Sequence, residues 1–260
     1  TGLVADLDAS SASGSVTVTT AVNSSSPFAA EVISVTTGSG TTSITATTAG
    51  DTITVNAAAI SDNVLLSTAG AGDFIISDLQ GNLSNTASGF VFVALANNTD
   101  GDYTVTSSTA ITVANGTAQV GDTITLEGAG TKSVTGLVAD LTLDATNTST
   151  TGVTTGDASL TINANAAAGA LTVNSELAQD KTLTLTGGAN GTTATVNNLV
   201  ADLVATTLAS ALTVDLADDA VDNAISITTG TYTTSINDSA ATDTITVNAA
   251  AISDNVLLST

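Results

Sequence analysis

Aliphatic residues alternate with Thr, Ser or a charged residue in short runs along the whole chain: SVTVT (15–19), DTITV (51–55), DYTVT (102–106), DTITL (122–126), SLTIN (159–163), KTLTLT (181–186) and ALTVDL (211–216). A period of two predicts strands with one buried and one wet face. β-Branched Thr suits the outer face of a pleat, and Val, Ile and Leu fill the inner one. Gly, Asn, Asp and Ser lie between the runs and supply the left-handed conformations and local side-chain bonds that corners need. Strand starts recur roughly every 9 to 12 residues, at intervals of 8 to 13 through Ile33, Ser43, Asp51, Val64 and Asp73. No helical period is evident, although LVADL and NAAAI could each form a single turn.

Short, evenly spaced strands fit two all-β architectures. In a β-solenoid (parallel β-helix) repeat array, each strand stacks on its equivalent in the preceding coil, about 4.8 Å away. In tandem β-sandwich domains, the alternative, antiparallel strands pack around a core usually anchored by a large aromatic. Only 2% of residues here are aromatic, which favours the solenoid. The strand-ending Asn56, Asn163, Asn174, Asn197 and Asn248 also favour it, because stacked Asn side chains can form a hydrogen-bonded ladder. Asp100-Gly101, Asn115-Gly116 and Asn190-Gly191 are hairpin-like pairs and point the other way.

Repetition is extensive. DTITVNAAAISDNVLLST occupies 51–68 and again 243–260, an offset of 192, and the match extends back so that 33–68 is equivalent to 225–260. Within this long period a shorter phrase recurs: TGLVADL (1–7), SDLQGNL (77–83), TGLVADL (135–141) and NNLVADL (197–203), with Leu at its third and seventh positions. It divides the chain into repeat units 1–76, 77–134, 135–196 and 197–260 of one continuous array. The units start 76, 58 and 62 residues apart, as expected of cousins with loop insertions. The sequence reads as a window on a longer array.

Composition narrows the chemistry. The 260 residues include no Cys, Met, Trp or His, two Lys and no Arg, against 24 acidic side chains, giving a net charge of −22 and a pI of about 4.1. Disulfides, thiolate or imidazole metal sites, His-based triads and arginine clamps are excluded. A nucleic acid or an anionic membrane surface would meet almost no cation. Hydrophobic residues make up 42% of the chain and mean hydropathy is +0.38, so the chain should fold rather than remain an acidic tail. No apolar run is long enough for a membrane span.

The phrases GLVADL, ISVTTGSGTTSIT, DTITVNAAAISDNVLL and TLTGGA resemble the long, Thr-, Gly- and Asp-rich β-strand-repeat proteins of bacterial surfaces, including adhesin-like, S-layer-like and type I secreted fibre proteins. The resemblance covers nearly the whole chain and implies export, an extracellular or cell-surface location, and use as a fibre, sheath, coat or biofilm-matrix element. A stalk carrying an adhesive tip outside this segment is the alternative. Partners would be further repeats of the same chain, self-association, or cell-surface polysaccharide. Many proteins of this kind bind Ca2+, and no catalytic residues come with the likeness.

Calcium candidates follow. Of the acids, 21 are Asp and 3 are Glu, a skew that suits turns and hard-cation ligands alike. AGDTI (49–53), AGDFI (71–75) and VGDTI (120–124) keep the Gly, Asp and inward aliphatic of repeat-in-toxin calcium solenoids without the double glycine, which singles out Asp51, Asp73 and Asp122. Asp215, Asp218, Asp219 and Asp222 with Asn223 form a denser cluster, whose carboxylates repel one another unless solvated or bridged by a cation. The first repeat lacks these aspartates, so no per-repeat site is expected there. An enzyme is not expected: Asp218 and Asp219 are adjacent and would point to opposite faces of a strand. Lys132 and Lys181 are read as neutralising neighbouring acids.

Overall fold

The computed structural model describes residues 2–21, 30–165, 167–189, 191–217, 224–238 and 243–253, and the backbone of 258–259. The candidates Asp218, Asp219 and Asp222 lie outside the described residues, as does Asn223. The chain divides into two compact units, Thr1–Lys132 and Ser133–Thr260.

The first unit contains β1 (Leu7–Asp8), β2 (Val16–Thr19), β3 (Val32–Thr36), β4 (Thr42–Ala46), β5 (Thr52–Asn56), β6 (Leu65–Gly70), β7 (Asp73–Leu79), β8 (Asn82–Asn85), β9 (Val91–Leu95), β10 (Asp102–Ser107), β11 (Ile111–Ala114) and β12 (Thr123–Glu127). Its odd-numbered strands line up in chain order as one sheet and its even-numbered strands as another. The described pairings are parallel, as in β3 with β5 and β10 with β12. Successive strands therefore alternate between two facing sheets, and two strands make one coil of a β-solenoid.

The second unit repeats the plan. It contains β13 (Lys132–Leu137) except for its first residue, then β14 (Asp140–Leu143), β15 (Thr151–Thr155), β16 (Leu160–Asn163), β17 (Leu171–Asn174), β18 (Thr182–Thr186), β19 (Thr193–Leu199), β20 (Asp202–Val204), β21 (Ala211–Leu216), β22 (Ala224–Thr228), β23 (Thr234–Asn237), β24 (Thr244–Asn248) and β25 (Leu258–Ser259). Pairing is parallel between alternate strands here too, for example β17 with β19 and β18 with β20.

The two-residue period becomes columns of side chains. Leu66, Leu83, Val105 and Leu126 stand in register along β6, β8, β10 and β12. Val153, Val173, Val196, Val214 and Ile236 do so from β15 to β23. All of these are buried. A column of aliphatics needs no large aromatic, because each coil covers the one beneath it; burial of such side chains contributes about 1.5–3 kcal/mol each.

The sandwich alternative fails on strand direction. Gly101, Gly116 and Gly191 of the hairpin-like pairs do take positive φ, at 76°, 59° and 88°. They turn the chain from one sheet to the other (β9 to β10, β11 to β12, β18 to β19) instead of reversing it into an antiparallel neighbour. NAAAI forms a turn, closed by Ile60 N–H donating to the Ala57 carbonyl at 3.1 Å.

The recurring phrase is a corner. Its leucines are buried at Leu79 and Leu83, Leu137 and Leu141, and Leu199 and Leu203, one at the end of a strand and one in the next. The residue before the first leucine is left-handed: Asp78 (φ 57°), Gly136 (φ 64°) and Asn198 (φ 57°). Gly, Asn and Asp are the residues that tolerate this region, and the register slips there, between Ile76 and Leu79 and between Val196 and Leu199. The phrase's last leucine falls in β1, β8, β14 and β20, so its copies stand seven, six and six strands apart. The 76-residue interval thus contains one more strand than the other two, and loop insertion alone does not account for it. Within the first unit the phrase enters one sheet at β1 and the other at β8, so a half coil is the element that repeats.

Candidate functional site

The sixth position of the corner phrase carries Asp6, Asn82, Asp140 and Asp202. In each copy its Oδ1 accepts the backbone N–H of the residue beside it in the next strand of the same sheet: Ser34 (2.8 Å), Thr104 (2.8 Å), Thr161 (2.7 Å) and Ser226 (2.8 Å). An N–H that lies opposite the start of the preceding strand in the sheet needs an acceptor, and this side chain supplies one. Asn82 does the work of an aspartate without its charge, so the position demands an acceptor oxygen and not an anion. The leucines dominate the pattern of the phrase, and the signal for this residue is the recurrence of Asp or Asn at one place within it.

Three of the calcium candidates hold the backbone in related ways. Asp51 is buried and its Oδ1 accepts the Glu31 N–H at 3.1 Å, while Oδ1 of Asp73 accepts the Phe90 N–H at 2.7 Å. Glu31 precedes β3 and Phe90 precedes β9, so these carboxylates reach in opposite directions along the stack. Oδ2 of Asp122 accepts the Gln119 N–H of its own turn at 2.6 Å. Asp215 accepts Nδ2 of Asn237, its register partner, at 2.6 Å. The structure does not bring these four together, and among the described residues no three acidic side chains form a group able to hold a metal.

A third use of acid and amide is the local turn. Oδ1 accepts the N–H two residues on at Asp8, Asn56, Asn85, Asp144, Asn163 and Asn248. Hydrogen bonds from the side chain and then the N–H of Ser10 hold the Asp8 carboxyl below its usual range; at Asp144 the N–H of Thr146 contributes most. The expected Asn ladder is correspondingly short. Asn197 Nδ2 donates to Asn174 Oδ1 at 2.9 Å, whereas Asn56, Asn163 and Asn248 each close their own turn.

Lys132 is the chemically distinctive residue. Aligned on the corner phrase, it stands five residues before Leu137, as Phe74 does before Leu79 and Ala194 before Leu199. All three are inward, and Lys132 is only 1% exposed. Its Nζ donates to the carbonyls of Gly130 (2.7 Å), Gly128 and Ser107 (3.4 Å). Gly128 adopts φ 84°, a conformation few side chains tolerate. Burial pushes the ammonium down to about 8. The expectation of a neighbouring acid is therefore wrong for Lys132 and right for Lys181, which donates to Asp180 Oδ2 at 2.8 Å on the surface.

A buried polar column leads to this ammonium. Thr68 Oγ1 donates to Asn85 Oδ1 at 2.8 Å, and Asn85 Nδ2 donates to Ser107 Oγ and to Thr109 Oγ1, both at 2.9 Å. Thr109 Oγ1 donates in turn to the Ala87 carbonyl at 2.7 Å. Each polar atom has a partner, the condition under which a buried network is tolerated. The column holds neighbouring strands together, since every link passes from one coil to the next or closes a turn.

Comparison with protein-family models, with curated proteins and with solved structures finds no match.

Proposed function

We propose that the chain is a structural repeat protein of the cell exterior, forming a fibre, sheath, coat or biofilm-matrix element. The observation that carries this reading is the use made of its acids: at the corners and at Asp51, Asp73 and Asp122 the carboxylate is spent on a backbone N–H that joins coil to coil or closes a turn. Chemistry of turnover needs unique, convergent groups, and here the corner acid or amide recurs every six or seven strands in the same structural task. A stack of coils tied by repeated side-chain bonds suits a mechanical part. The scarcity of Lys and absence of Arg leave trypsin few places to cut, as befits a protein exposed to proteases.

Negative-stain electron microscopy of the purified chain, with Ca2+ and with a chelator, tests the proposal. The fibre reading expects end-to-end or lateral assemblies in at least one condition. Single particles in both would defeat it and leave the adhesin stalk. Assembly with Ca2+ alone would assign the cation a role in joining copies.

A further inference from the structure

The outer faces of two equivalent strand pairs differ in chemistry. β7 pairs with β9, and β19 with β21, in corresponding register: Phe74 beside Val91 and Ala194 beside Leu212 inward, Ile75 beside Phe92 and Thr195 beside Thr213 outward. Phe90 lies one residue before β9 and its carbonyl accepts the Phe74 N–H at 2.8 Å; the corresponding place before Leu212 is Ala211. Ile75, Phe90 and Phe92 thus replace the Thr195, Ala211 and Thr213 that the same scaffold accepts elsewhere. Ile75 is 40% exposed and Phe90 57%, while Phe92 is half-buried. Two of the chain's four phenylalanines are spent on this outer face. Packing does not require them there.

We propose that this face binds an extended neutral glycan. The inference rests on the reading of the chain as an exterior structural protein and names what that surface holds. The C–H faces of pyranose rings pack on the phenyl rings and Ile75, as apolar surface leaves water. Thr54 is in register with Ile75 and Thr112 with Phe92, so a hydroxyl flanks the apolar strip on either side. Among the described residues no side-chain bond engages either hydroxyl, leaving both for sugar hydroxyls. The nearest carboxylate, Asp73, already accepts the Phe90 N–H. Charge and area select the occupant. A net charge of −22 opposes an anionic polymer. Three side chains also fall far short of the roughly 800 Å² per partner of a stable protein interface.

Affinity electrophoresis in gels containing hydroxyethylcellulose, with alginate as the anionic counterpart, tests this. The wild type should be retarded by hydroxyethylcellulose and not by alginate. The Ile75→Thr/Phe90→Ala/Phe92→Thr variant, which restores the residues found on β19 and β21, should bind about ten-fold or more weakly. Circular dichroism checks its fold, and Phe90→Ala alone carries the comparison if the triple variant does not fold. No retardation of the wild type, equal retardation of the variant, or equal retardation by alginate would overturn the proposal. So would a dimer in sedimentation velocity that the variant loses, which would make the face an interface between copies. Filaments that form without glycan binding would sink this inference and leave the structural reading standing.

Discussion

β7 and β13 end in the same corner and hold opposite contents. Each closes on a buried leucine after a left-handed residue, Asp78 in one and Gly136 in the other. Five positions before that leucine the first buries the ring of Phe74 and the second the ammonium of Lys132. The corner thus specifies the path of the backbone and leaves the interior free to vary, provided each buried group is matched. A ring needs only aliphatic neighbours. An ammonium needs acceptors, and the carbonyls of Ser107, Gly128 and Gly130 supply them.

The largest effect should come from emptying the hydrophobic version. Phe74→Ala leaves a cavity between Ile53 and Val91 and should cost about 3–5 kcal/mol in denaturant unfolding. If the coil could collapse around the missing ring, the loss would be much smaller, and the place of Phe74 would accept alanine as the equivalent place of Ala194 does.

Next comes the charge on Lys132. Its folded-state pKa, about 8, lies below the ordinary value of 10.5. Between those values the unfolded chain holds a proton that the native state has released, so stability should rise with pH across that window. Tyr103 is pushed up to about 12 by burial and opposes this above pH 10, where the unfolded phenol ionises first. Melting temperature measured from pH 7.5 to 10 should therefore climb in the wild type and stay flat in Lys132→Met. A flat wild-type profile would mean that the carbonyl oxygens fully compensate the buried charge.

A smaller effect separates the two chemistries of the corner's sixth position. Asp140→Asn should leave unfolding within about 0.5 kcal/mol of the wild type, because Asn82 already performs this task in another copy. Asp140→Ala orphans the Thr161 N–H and should cost about 1–2 kcal/mol. A Ca2+-dependent loss in Asp140→Asn would instead show that charge matters there.

Much of the fold was legible because the strand period and the coil period both leave marks in the sequence. DTITV, KTLTLT and ALTVDL became β5, β18 and β21 within a residue or so. Parallel stacking could be argued from Asn at strand ends, but the reason was largely mistaken, since Asn56, Asn163 and Asn248 bond to their own turns. The Asp or Asn of the corner does join coils; its recurrence is plain in the sequence, but its partner depends on register and emerges only when the strands are aligned. The surroundings of Lys132 are hidden in the sequence for a similar reason. A lysine in an acidic chain suggests an ion pair, and only the corner alignment shows that its position faces inward.

Diffraction from oriented samples tests the stacked-coil account of a mechanical protein most directly. Strands lying across the axis of an assembly should give a reflection near 4.8 Å along that axis, in Ca2+ and in chelator alike if the side-chain bonds between coils suffice. Its absence from well-oriented samples, or its appearance only across the axis, would contradict the account.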